Sequence, residues 1–328
     1  MPIVVNSNAS ASSASFNLSQ ANSSLRKSLE RLSSGKRINN SSDDAGGMAV
    51  AYKLESRVKR TSAILQNTQN ALSYLQVQDG AMETVGKVVS RMSELRVMAQ
   101  DVTKNSSDIE NYSKEFIELQ TQLNQVKEQK FNGISLFAIE AQTLGNGGLN
   151  VVDGGVYTPS DATPVNYDKY SRTLFTSASG QASDGNISLN VINLEFVLSI
   201  GSLSGVGNGT NVDLGGFGNT ASTGGVNIAA DGYITSITHV SVGQFTSIIE
   251  KIADMRAENG AEQNRVVNSL EMLQTNMTNL EAAYGRIVDT DIAVESTRFA
   301  RHNVLVQASA AMTAQANQLT NVALQLLG

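Results

Sequence analysis

Outside its middle third, the chain places apolar side chains every three or four positions, with polar residues filling the gaps. Near the start, Leu18, Ala21, Leu25, Leu29 and Leu32 follow this spacing. After a polar break it resumes at Leu54, Val58, Thr61, Leu65, Thr68, Leu72 and Leu75, and continues through Met82, Val85, Val89, Met92, Leu95, Ala99 and Val102. A shorter stretch carries Phe116, Leu119, Leu123 and Val126. Towards the C-terminus the pattern returns at Val266, Leu270, Leu273, Met277, Leu280, Tyr284 and Ile287, then at Leu305, Ala308, Met312, Gln315, Leu319, Val322 and Leu326. Two positions in seven make a narrow stripe, which is the seam of a coiled-coil-like helix rather than the broad face of a globular one. Ser247 followed by Glu250 has the spacing of a capping box and predicts a helix start there.

The middle breaks the pattern. Residues 141–245 hold 18 of the 27 glycines and two of the three prolines, but only nine of the 54 charged residues. Alternation at Ile187, Leu189 and Val191 predicts a strand. Val226 and Ile228, a turn at Ala230-Asp231-Gly232, and Tyr233, Thr235 and Ile237 predict a hairpin. The fold expected is mainly α: long helices from both chain ends running together as a hairpin rod, with a central β-rich outer domain.

The polar break has its own logic. Gly35 follows Ser33-Ser34 where a helix would end, and glycine accepts the left-handed conformation such an end uses. Ser41 to Asp44 supply oxygens and negative charge for the unpaired N–H groups of the next helix. Gly46 and Gly47 then cost helical stability, about 1 kcal/mol each against alanine, so a close approach to the backbone is expected there.

Composition removes most chemistry. There is no Cys, so neither disulfides nor thiolate zinc sites are available. A net charge of −6 without a Lys/Arg block argues against a nucleic-acid partner. No apolar run approaches the ~20 residues that span a bilayer, and the N-terminus lacks the pattern of a cleaved signal peptide. Asp43 and Asp44 are adjacent at a helix start and diverge, which suits capping better than metal binding. Gly35-Lys36 lacks the rest of a phosphate-binding loop. His239 and His302 fall outside zinc or catalytic spacing, and Met82, Met92, Met277 and Met312 lie on the stripes as core fillers. Asn208-Gly-Thr210 is a weak glycosylation triplet. No catalytic, cofactor or metal set emerges. What remains is an assembly signal.

The stretch Leu29–Ala51, LERLSSGKRINNSSDDAGGMAVA, resembles the N-terminal signature of the bacterial flagellin family, LERLSSGxRINxxxDDAAGxAIA, with Gly46 in place of an alanine. Phe131-Asn132-Gly133, Gly260-Ala261, Gln263-Asn264-Arg265, Arg286-Ile287, Asp289, Asp291 and the run from Met312 to Gln318 extend the resemblance in order. It covers about residues 1–137 and 246–328.

The resemblance implies a structural subunit, not an enzyme, that stacks into the helical flagellar filament for swimming. It implies an inner tube from 1–42 and 288–328, an outer tube from 43–137 and 246–287, and a surface domain at 138–245. The Gly35–Ser42 loop would be the spoke between the tubes, and Gly46-Gly47 a tight subunit contact. Assembly would involve Leu18, Leu25, Leu29, Leu32, Gly35, Asp43, Asp44, Gly46, Gly47, Leu305, Met312, Leu319, Val322 and Leu326.

Other implied partners are the flagellar type III export apparatus, a secretion chaperone, and the cap and hook-associated proteins. Export would proceed without a cleaved leader to an extracellular filament. At Ser90-Arg91-Met92-Ser93-Glu94-Leu95-Arg96-Val97, a partial match to QRVRELxxQ marks Arg91, Glu94 and Leu95 as contacts for the animal flagellin-sensing Toll-like receptor. The alternatives are a hook–filament junction protein with similar termini, a flagellin carrying an enzyme in its outer domain, and an unrelated coiled-coil scaffold. Physically, a heterologous interface that does not close builds an open filament. Terminal helices that bury their stripes only against neighbours are expected to be largely disordered alone.

Overall fold

The computed structural model describes residues 8–138, 150–157, 165–179, 185–200, 212–216, 229 and 232–327, with side chains described except at 150–157, 165, 166, 168 and 319–327. Two compact units result: Met1–Arg60 with Asn276–Gly328, and Thr61–Thr275. The chain is mostly helical, its terminal helices pack together, and a small sheet region lies in the middle of the sequence.

In the first unit, α1 (Ala9–Ser34) starts at Asn8, whose side chain accepts the Ala11 N–H, and ends at Gly35 with φ +70°. The Asn8 amide also donates to the Ala316 carbonyl at 2.9 Å, tying α1 to α6 (Ile292–Leu327). Asp291 caps α6 by accepting the Ala293 and Val294 N–H groups. The first turns of α2 (Ala45–Met98) and the last of α5 (Val242–Val288) complete this unit.

In the second unit, α2 from Thr61 and α5 up to Thr275 share one core with α3 (Ser106–Lys127). Leu75, Met82, Val85, Val89, Met92 and Leu95 of α2 are buried, as their spacing predicts. The stripe ends sooner than expected, because α2 stops at Met98 and Val102 stands 98% exposed in the following loop. Asn105 and Asp108 form a reciprocal capping box at the start of α3. After α3, the strands β1 (Lys130–Phe131) and β2 (Ile134–Ser135) close on Asn132 and Gly133, both at positive φ, the backbone that makes Asn-Gly a hairpin turn.

Strands β3 (Phe137–Ala138), β4 (Asn150–Tyr157), β5 (Val165–Phe175) and β6 (Asn186–Asn193) form a sheet in the order β3-β6-β5-β4. Ile187, Leu189 and Val191 point inward from β6. The short helix α4 (Leu194–Leu198) follows, and β7 (Ser199–Ile200) pairs with β8 (Val212–Asp213).

Three expectations are corrected. The start of α5 is capped not by Ser247 but by Ser241: its hydroxyl accepts the Gln244 N–H while the Gln244 side chain accepts the Ser241 N–H. Ser247 lies a turn inside the helix and donates to the Gly243 carbonyl. Of the expected hairpin, the Gly232 N–H donates to the Ala229 carbonyl, but Ile237 opens a 3-10 turn, and Val226, Ile228, Ala230 and Asp231 lie outside the described residues. Finally, the described central strands are not separate from the helices. Tyr167, Ile187, Leu189 and α4 belong to the same hydrophobic cluster as Leu75, Met82 and Phe245. Tyr167 stacks on Phe196 at 3.9 Å, and the buried Lys251 ammonium of α5 donates to the carbonyls of Phe196 and Ser199.

Candidate assembly surface

The first unit is where the implied assembly residues gather. α1 packs against α6, and the less exposed positions along α1 include Ala11, Ala14, Leu18, Ala21, Leu25, Ser28 and Leu32. These steps alternate strictly between three and four, so the seam takes Ser28, 4% exposed, rather than Leu29, which is turned out at 54%. On α6 the packed positions are Glu295, Phe299, His302, Val306, Ser309, Thr313 and Ala316. The stripe of Leu305, Ala308, Met312 and Gln315 is one residue earlier in phase, rotated by about 100° from the packed face. Within one chain, therefore, Leu305 and Met312 are exposed rather than seamed. The side chains of Leu319, Val322 and Leu326 lie outside the described ones.

The α1–α6 seam is mixed: Leu18, Leu25, Leu32, Phe299 and Val306 alternate with alanine, serine, threonine, histidine and glutamate. Other bulky side chains face away from it. Phe16 is 70% exposed and Met312 64%, with Ile292, Val294, Val304 and Leu305 also out on α6 and Val50 and Tyr52 on α2. Single exposed leucines are ordinary, but this many on two paired helices is a partner-seeking surface.

The linkers are held by directed bonds. The Arg37 N–H donates to the Val288 carbonyl at 2.6 Å, the Thr290 N–H to the Gly35 carbonyl at 2.9 Å, and Lys36 bridges Asp289 in antiparallel fashion. The Arg37 guanidinium reaches the Ile287 carbonyl as well. Asp43 and Asp44 diverge. Asp43 accepts the N–H groups of Asn39 and Asn40 and pairs with Lys27 at 2.6 Å, and this ammonium, above all, holds its carboxyl at a pKa of about 2. Asp44 caps α2 by accepting the Gly47 N–H at 2.8 Å. The close approach expected at the two glycines is to the chain itself and only at one of them. A Cβ on Gly47 would stand 2.4 Å from an Asp44 oxygen and 2.9 Å from Ile38 Cδ1, whereas one on Gly46 meets nothing nearer than 3.7 Å. In the seam, Glu295 is buried and faces Arg298 at 3.3 Å and Arg31 at 4.0 Å.

In the second unit, the Arg91 guanidinium is half exposed and braced by Glu115 at 2.8 Å and Glu94 at 3.0 Å. Leu95 is fully buried and serves the core, so it is withdrawn as a receptor contact. Spacing missed the polar contacts, some buried and some half-exposed, that set the register of α2 and α5. Gln78 donates to the Leu136 carbonyl at 2.8 Å and accepts from Asn259 at 3.0 Å, while Arg256 forks onto Asp79 at 3.0 and 3.2 Å. Gln78 sits at a stripe position between Leu75 and Met82, and that interruption was its only signal in the sequence. Among the described residues no group of three metal-ligating side chains converges, and no helix is long and apolar enough to cross a membrane.

Comparison with known proteins accords with this picture of helices built to be covered. The family model for the bacterial flagellin N-terminal helical region matches residues 5–141, and that for the C-terminal helical region matches residues 242–327. The chain is 29% identical to the flagellin of Bacillus subtilis over 98% of this chain and 99% of that protein. It is also 29% identical to the flagellar filament 41 kDa core protein of Borreliella burgdorferi, over 99% and 100%. A crystal structure of Bacillus cereus flagellin superposes with a TM-score of 0.38 at 22% identity, covering 67% of this chain and 94% of that one. Nothing in these matches favours a hook–filament junction protein. With both terminal helical regions matched in order, the chain belongs to the bacterial flagellins and is a structural subunit of the flagellar filament.

Proposed function

We propose that the first unit is the polymerisation element, and that subunits join by covering the outward face of its paired terminal helices. The observation that carries this is the phase of α6: behind a packed face of mixed polarity, Val304, Leu305 and Met312 stand in solvent. Covering each such side chain contributes about 1–2 kcal/mol, given that part of it is already shielded. Repeated over many residues and copies, that is enough to drive filament growth. On this reading Leu18, Leu25 and Leu32 hold the α1–α6 pair together, and Leu29 joins Leu305 and Met312 in facing the neighbour. The Gly35–Asp44 linker is the spoke, and the tubes follow the terminal and flanking helices. Gly46, which has room for a side chain, faces a neighbour more readily than Gly47. The export apparatus, a secretion chaperone, and the cap and hook-associated proteins are the partners of such a subunit before and during assembly. Arg91 and Glu94 remain the candidate receptor contact.

Seeded elongation tests the reading. Purified Leu305→Asp and Met312→Asp monomers, added to sheared filament fragments and followed by light scattering, are expected to fold normally and fail to extend. Elongation at the parental rate by both variants would overturn it.

A further inference from the structure

Charge is divided unevenly between the two units. The first carries 12 Lys and Arg against eight Asp and Glu; the second carries 12 against 22. Two exposed stripes concentrate the imbalance. On α2, Lys53, Arg57 and Arg60 follow one another at four- and three-residue steps, share one helical face, and have no ion partner among the described residues. Val50 and Tyr52 lie exposed beside them and line the same shallow groove. On α5, Glu250, Asp254, Glu258 and Glu262 recur every fourth residue. The chain answers the last two itself: Lys169 pairs with Glu258, and the Asn190 N–H donates to Glu262 at 2.8 Å. Glu250 and Asp254 are exposed with no cation against them among the described residues, next to the exposed Ile249.

Like charges at four-residue spacing destabilise a helix, whereas elsewhere on α2 and α3 the chain places opposite charges at that spacing: Lys59 with Glu55, Lys87 with Glu83, Lys114 with Glu110. The two uncompensated stripes have opposite sign, each has an apolar neighbour, and they sit on different units. We propose that the Lys53–Arg57–Arg60 face of one copy docks on the Glu250–Asp254 face of a second copy. Each face repels its own kind, so the contact joins two different faces, and repeated head to tail without closing it builds an open series of subunits.

This inference rests on the filament reading and is tested separately from it. Three proteins are compared in seeded elongation at low ionic strength: Lys53→Glu/Arg57→Glu, Glu250→Lys/Asp254→Lys, and the two reversals combined. Each reversal alone is expected to raise the monomer concentration needed for growth about tenfold or more, and the combination to restore most of it. The single-reversal defect is also expected to shrink as salt is raised through the range where the screening length falls below about 10 Å. If the α2 reversal elongates like the parent, the stripe serves some other anion and the proposal fails, while filament formation by that same variant leaves the assembly reading intact. Failure of the combined variant to recover, with its circular dichroism unchanged, would also overturn it.

Discussion

Gly46 and Gly47 are adjacent, both in the first turn of α2, yet alanine is expected to act with opposite sign at the two. At Gly46 an added methyl would meet only an Asp44 oxygen at 3.7 Å, ordinary contact. Alanine there removes glycine's entropic penalty and is expected to stabilise by about 0.5–1 kcal/mol. At Gly47 the same methyl would lie 2.4 Å from Asp44 Oδ2, 2.8 Å from its Cγ and 2.9 Å from Ile38 Cδ1. The carboxylate that must move is the one accepting the Gly47 N–H, so clearing the clash gives up the cap, worth about 1 kcal/mol. Displacing buried Ile38 adds about 1–3 kcal/mol of overpacking strain. Against the same propensity gain, Gly47→Ala is expected to be about 1–3 kcal/mol less stable than the parent. Urea titrations of the monomer followed at 222 nm compare the two variants directly. A Gly47→Ala protein as stable as Gly46→Ala would refute the reasoning. The flagellin pattern has alanine at the position of Gly46 and glycine at that of Gly47, in keeping with these contacts.

Three further outcomes follow from the same contacts. The Asp43 carboxyl is held below its unfolded value, so its pairing with Lys27 contributes stability above about pH 4 that is lost as pH falls towards 2; with Lys27 half exposed this amounts to about 1 kcal/mol, and Lys27→Met is expected to remove that part of the acid slope. Burial pushes Lys251 down to a pKa of about 8, so the folded chain binds fewer protons than the unfolded one above that pH; stability is expected to rise from pH 8 towards 10.5, and Lys251→Met to flatten the rise in alkaline urea titrations. Native-state hydrogen exchange is expected to show far weaker protection in α1 and α6 of the monomer than around Leu75, Met82 and Phe245, and protection in filaments equal to the core; equal protection in the monomer would contradict the reading of the seam, whose positions are mostly only half-buried.

Helices were legible because they are long and their stripes keep one period; Met82 to Leu95 of α2 and Phe116, Leu123 and Val126 of α3 are buried where spacing puts them, although Gln120 rather than Leu119 is the fully buried residue between them. Phase was harder. On α1 the choice between Ser28 and Leu29 turns on whether a seam prefers the larger side chain or the unbroken three-four alternation, and the alternation prevails. On α6 the apolar residues define a real stripe, but a stripe shows only which face avoids water, not whether the cover comes from the same chain. Gly35 and Asp44 were readable because their roles are local. Asp43 with Lys27, Gln78 with Asn259 and Lys251 with Ser199 were not: each joins positions distant in sequence through polar groups that have no period. High glycine content suggested an independent central module, yet composition does not report that Tyr167 and α4 complete the core of the long helices.

The bridge between the two linkers has a mechanical consequence. Gly35 and Thr290, Lys36 and Asp289, Arg37 and Val288 are stitched backbone to backbone where the chain leaves α1 and where it enters α6. Two separate tethers would each bend on their own, and torsion applied to one helix would dissipate in its own loop. Yoked in this way, they form a single two-stranded strap, stiffer in twist than in bend. A turn imposed on α1 about its axis must carry α6 with it, so a rotating assembly of these subunits would transmit torque from the helix pair outward through one joint rather than two.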